Sequence, residues 1–220
     1  MSFNRDIQLD PNRVQTRSGG GRGAMIGGGS ILTVIAVVLI SQLTGVDLTS
    51  MLGAQQQTGT TTSTASSIDT SVCTSGDSAN KYTQCRMVAT AESLDAVWTE
   101  QLPSQAGLKY AKPEFVLWDG TQISSACGNA SSAVGPFYCS GDRTVYLDMS
   151  FFSEMERSLG ATDTPLAEEY IVAHEFGHHI QHLTGQMAKA DRSGSGATSD
   201  SVRLELQADC YAGIWVNHAS

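Results

Sequence analysis

"EYIVAHEFGHHIQHLTG", Glu169 to Gly185, holds four histidines and a glutamate within nine positions, His174 to His182. Apolar Ile171, Val172 and Ala173 precede the cluster, and Ile180 and Leu183 follow it. That pattern predicts a partly buried helix. Thr164 is suited to cap it, Pro165 to open its first turn and Gly185 to end it. Residues four apart share a helix face, so His174 and His178 can offer imidazole nitrogens to one metal ion. Unpartnered histidines on a buried face would cost free energy, which weighs against a merely polar, solvent-facing patch. Gly177 gives up about 1 kcal/mol of helix propensity relative to alanine, which predicts a packing demand at that position.

His174-Glu175-Phe176-Gly177-His178 is an H-E-x-x-H stretch, the arrangement of many zinc peptidases, with Glu175 able to reach a water at an open coordination position. His182 continues the row but is a poor third ligand, because eight helical residues rise about 12 Å while zinc bonds are about 2 Å long. His179 is turned about 100° away from His178 and reads as a core or surface histidine. The third ligand is expected on a second helix, Ser201 to Ala219, where Glu205 and Asp209 in "ELQAD" again lie four apart. Glu205 completes a His2Glu set, and Asp209 is spaced to accept the other ring N–H of a ligand histidine. The alternative is two exposed acids on an amphipathic helix, but Leu206, Ala208, Cys210, Tyr211, Ile214 and Trp215 wrap most of its circumference.

Elsewhere the chain divides by composition. Of 13 basic and 22 acidic residues, Arg5, Arg13, Arg17, Arg22, Asp6 and Asp10 precede residue 24, leaving nine basic against twenty acidic. Such a domain is not built to grip nucleic acid or an anionic surface. Residues 24–46 carry no charge, and 23 uncharged, mostly apolar positions can cross about 30 Å of hydrocarbon. A single N-terminal transmembrane helix is therefore expected, ahead of a cleaved signal or a core helix. By the basic-residue rule residues 1–23 form a cytoplasmic tail and the rest lies outside the cytoplasm. Residues 47–72, rich in Ser, Thr and Gln, read as a flexible linker, and 73–220 as the folded domain.

Cys73 with Cys85 and Cys127 with Cys139 make two local pairs of equal spacing. Two short-loop disulfides are a more economical reading than free buried thiols, and imply an oxidising compartment. Cys210 is left over and reads as a buried structural thiol. Leu94, Val97, Trp98 and Leu102 predict a helix ending before Pro103, and "EFVLW" (114–118) and "TVYLD" (144–148) predict strands.

Several segments together resemble the bacterial, membrane-anchored neutral zinc metallopeptidase family. They are a Gly-rich approach to one span, a Ser/Thr/Gln tether, "SACG" (125–128), "GPFYC" (135–139), "VYLD" (145–148), "VAHEFGHHIQ" (172–181) and "RLELQADCYAGIW" (203–215). The resemblance, which extends to the gluzincin pattern H-E-x-x-H followed by E-x-x-x-D, implies an α+β, zincin-like metallopeptidase domain. It implies zinc held by His174, His178 and Glu205, Glu175 as catalytic base, a peptide or protein substrate, and a place in the bacterial cell membrane. The metzincin pattern fails at Gln181 and Thr184. Members of the family usually continue past the "CYAG" helix, so the chain is expected to lack that C-terminal portion. The function expected is hydrolysis of peptide bonds by Glu-assisted attack of zinc-bound water. The alternative is an anchored, zinc-containing scaffold or peptide-binding module without turnover.

Overall fold

A disulfide between Cys73 and Cys85 ties the turn before helix α1 (Gly76–Lys81) to the first turn of helix α2 (Thr83–Ala106). A computed structural model of the chain describes residues 2–19, 68–120, 122–159, 164–191 and 193–219. Buried Met87, Ala91, Leu94, Trp98 and Leu102 recur along α2 at three- and four-residue intervals, so one stripe faces the core. The helix does not stop before Pro103 as its sequence predicts. It runs on to Ala106 and ends at Gly107, a left-handed residue at φ 65° whose N–H donates to the Pro103 carbonyl at 3.0 Å. Proline forfeits a single ladder bond, and in a last turn little helix depends on it.

Strands β1 (Gln15–Gly19), β2 (Glu114–Gly120), β3 (Gln122–Ser125), β4 (Gly128–Ser131), β5 (Phe137–Cys139) and β6 (Thr144–Asp148) form two sheets. In the larger, ordered β1-β2-β6-β5, β1 and β6 run parallel to β2, and β5 is antiparallel to β6. Phe115, Leu117, Val145 and Leu147 project into the helical core. Val116, Trp118 and Tyr146, on the opposite face, are covered by Ile123 and Ala130 of the β3–β4 hairpin. A strand buried on both faces needs an unbroken apolar run, which is what "FVLW" supplies. The second disulfide, Cys127–Cys139, pins the hairpin turn to β5.

The N-terminal residues belong to this structure. β1 pairs with β2 from Gln15 opposite Val116 to Gly19 opposite Gly120. Phe3 exchanges two 2.8 Å hydrogen bonds with the Asn80 side chain. Arg13 forms a largely buried ion pair with Asp95, Nε to Oδ2 at 2.6 Å, and its guanidinium lies 5.8 Å from the Phe176 ring centre.

Two expectations are corrected by these findings. The predicted span, residues 24–46, lies outside the described residues, and among those described no helix is long and apolar enough to cross a membrane. A single-pass arrangement with the tail on one side and the domain on the other is incompatible with β1 hydrogen-bonded into the domain's own sheet. The fold is thus mixed α/β, with parallel and antiparallel strand pairs, in place of an α+β zincin-like domain behind a transmembrane helix.

Candidate metal centre

Helix α3 (Phe151–Leu159) follows the sheet, and the helix that carries the histidines, α4, runs from Pro165 to Leu183. The Thr164 side chain caps it by accepting from the Ala167 N–H at 3.2 Å, and Pro165 occupies its first turn. A short helix α5 (Gln186–Lys189) leads on to α6 (Asp200–His218), capped by the Ser199 hydroxyl. α4 and α6 meet at Gly177. A Cβ there would sit 2.8 Å from the Ala208 carbonyl oxygen and 3.0 Å from the Ala208 Cα, so glycine is what allows the two backbones to come this close.

That contact lays Glu205 against the histidine face of α4. Its Oε2 lies 3.2 Å from His174 Nε2 and 3.4 Å from His178 Nε2. One ligand atom from each of His174, His178 and Glu205 lies within 4.8 Å of the others. The His174 ring is turned by its other nitrogen, Nδ1, which is 2.8 Å from Asp209 Oδ1. Glu175 is buried beside them, and the Tyr138 backbone N–H of β5 donates to its carboxylate.

The family described as "Putative neutral zinc metallopeptidase" matches residues 6–220. The chain belongs to that family. It is 46% identical over 180 residues to the uncharacterized protein Rv2575 of Mycobacterium tuberculosis, covering 82% of this chain and 59% of that protein. It is 38% identical over 196 residues to the uncharacterized protein YpfJ of Escherichia coli, covering 86% of this chain and 62% of that protein. The chain thus spans about three fifths of the length of these relatives. No solved structure matches.

The zinc in the metallopeptidase family's description can be tested against the donor set. Two imidazole nitrogens and a carboxylate oxygen are the ligands zinc takes, and tetrahedral bonds of about 2 Å space the donors about 3.3 Å apart. The two nitrogen-to-oxygen separations, 3.2 and 3.4 Å, fit that requirement.

The site's electrostatics are those of a negative hole held together by protons. Burial opposes charge on His174, but hydrogen bonds to Asp209 and Glu205 and the nearby Glu175 prevail and push its pKa up to about 10. The His178 pKa is likewise raised against burial, by Glu205 and Glu175. Glu205 shows the converse: burial favours its neutral acid, yet hydrogen bonds from both imidazoles hold its pKa down at about 2. Burial raises the Glu175 pKa despite the two histidines, which suits a carboxyl that must both accept and release a proton. A divalent cation taking the place of the two Nε2 protons satisfies Glu205, while the Nδ1 proton of His174 stays with Asp209.

Three neighbouring side chains are engaged in other contacts. His182 packs parallel to the His179 ring, 6.4 Å between centres. Tyr211 packs edge-on against Trp98. Tyr170 donates to Asp209 Oδ1 at 3.0 Å, so it steadies the partner of His174. Cys210, expected to be buried, is exposed, because α6 turns Leu204, Glu205, Ala208, Ala212 and Trp215 inward instead of the Leu206–Cys210 stripe. Two features escaped sequence reasoning. The Tyr138 N–H is a backbone group with no signature of its own, whereas Gln181, three residues after His178, could have been found as a helix neighbour on the same face.

Proposed function

We propose that this domain is a zinc-dependent peptidase in which His174, His178 and Glu205 hold the metal, Glu175 transfers protons and Asp209 orients His174. The observation that carries this reading is the convergence of the two Nε2 atoms on Glu205 Oε2, with Glu175 buried alongside. The substrate proposed is a peptide or protein. Zinc, when bound, supplies Lewis acidity that acidifies water and polarises a carbonyl.

The rest falls to the chain's own groups. Glu175, its carboxylate steadied by the Tyr138 N–H, takes the proton of the attacking water and returns it to the departing amine. Asp209 holds the proton on His174 Nδ1, which leaves Nε2 to face the centre and raises its donor strength. Gly177 keeps α4 and α6 close enough for Glu205 to complete the set.

Glu175→Gln tests the assignment. Zinc stoichiometry, measured on purified protein, should be unchanged, while hydrolysis of a peptide library should fall by about 10²–10⁴-fold, the range for loss of a general base. Equal turnover with metal retained would refute the role of Glu175. Zinc binding without turnover in the wild-type chain would favour the scaffold or peptide-binding alternative.

A further inference from the structure

Gln181 has no exposed surface, and both ends of its amide are engaged. Nε2 donates to the Leu204 carbonyl on α6 at 2.5 Å. Oε1 lies 3.0 Å from His178 Nδ1. A carbonyl can only accept, so the amide must turn its NH2 toward Leu204 and its oxygen toward His178. That oxygen in turn requires the proton to sit on His178 Nδ1, leaving Nε2 as the nitrogen facing Glu205 Oε2 at 3.4 Å. Leu204 is the residue immediately before Glu205. One side chain therefore links the backbone that delivers the third proposed ligand to the tautomer of the second.

We propose that Gln181 is a positioning residue of the zinc centre: it reads the docking of α6 through the Leu204 carbonyl and sets His178 in the tautomer that presents Nε2 to the metal. The proposal rests on His178 and Glu205 being ligands, and it extends the site by a group with a different chemistry from Asp209. His174 is oriented by a half-buried carboxylate that Tyr170 also contacts. His178 is oriented at a fully buried position, where an unpaired carboxylate would be costly and a neutral amide with both ends satisfied is not. Methionine at 181 would fill nearly the same volume and lose both hydrogen bonds. Zinc affinity should then fall by about 10–100-fold, the usual effect of removing a partner that orients a metal-bound histidine.

The test uses the full chain and zinc ion itself, with affinity measured by competition against a chelator for wild type, Gln181→Met and His178→Ala. Unfolding of the metal-free proteins in urea controls for stability. The expected result is a folded Gln181→Met protein with zinc affinity reduced 10–100-fold, and no tight binding by His178→Ala. Unchanged affinity in folded Gln181→Met, with binding lost in His178→Ala, would overturn the role of Gln181 and leave the centre standing. A wild-type chain that takes up no zinc would remove both. Should Gln181→Met not fold, histidine ring NMR of the zinc-loaded wild type decides: a proton on His178 Nδ1 supports the proposal, and a proton on Nε2 with Nδ1 on the metal refutes it.

Discussion

His179 stands next to a proposed ligand in the chain and faces the opposite way. It has no exposed surface, its Nδ1 is 2.9 Å from the Tyr138 hydroxyl and its Nε2 donates to the Ala111 carbonyl at 2.6 Å. Both ring nitrogens are satisfied by the neutral imidazole, with the tyrosine donating. Burial holds its pKa down at about 4, below the usual 6.5. Because the folded value is the lower one, the stability it confers is present above pH 6.5 and is lost as pH falls through about 4. The loss should reach about 3 kcal/mol, taken from the difference between the two values. Urea midpoints of the metal-free protein between pH 7 and 4 should therefore fall more steeply for wild type than for His179→Gln. Parallel curves would show that His179 has the same pKa folded and unfolded, so that burial does not depress it. The helical spacing already separates His179 from the His174–His178 face, but its two partners come from distant segments, β5 and the approach to β2, and no local pattern announces them.

At the scale of elements, the centre depends on how closely α4 and α6 approach. Gly177 and Gly213 both interrupt helices, yet only the first has a neighbouring backbone where a Cβ would go, and nothing lies within 4 Å of the second. Gly177→Ala should cost about 1–3 kcal/mol by overpacking, and the helices should part enough to weaken zinc binding. Gly213→Ala should instead be neutral or stabilise by up to about 1 kcal/mol, since it gains helix propensity at no steric cost. Denaturant midpoints and zinc competition on both variants check this contrast, and equal effects would refute the close-contact role of Gly177. The sequence already made Gly177 suspect, because a helix former was sacrificed inside an apolar pattern. It could not say that Ala208 was the neighbour.

Across the whole molecule, residues 2–19 act as a strap that supplies the edge strand β1 and drives Arg13 into the interior. Asp95 is buried and is shared by Arg13, Lys112 at 3.1 Å and the Tyr110 hydroxyl at 2.9 Å. Removing Arg13 leaves that carboxylate with a mostly exposed lysine and a phenol. Arg13→Met should therefore destabilise the fold by about 3 kcal/mol, and adding Asp95→Leu should recover much of the loss, as replacing both members of a buried pair commonly does. Urea unfolding of the two variants measures both steps; an Arg13→Met protein as stable as wild type would show the strap to be superficial.

The sequence by itself determined what depends on neighbours a few residues apart: the shared face of His174 and His178, the caps at Thr164 and Gly185, the strand at 144–148 and the two equal cysteine spacings. These follow from the 3.6-residue helix, the two-residue strand and short-loop geometry, all local properties of the backbone. Tertiary structure alone decided which surfaces meet: β1 against β2 across about a hundred residues, Arg13 against Asp95, Gly177 against Ala208, and Gln181 between His178 and Leu204. It also decided that α6 turns Cys210 outward and that residues 2–19 lie on the same side as the domain. Such choices are made by burial and by pairing of buried polar groups, which sum over the whole chain, so no single stretch names the partner it will meet.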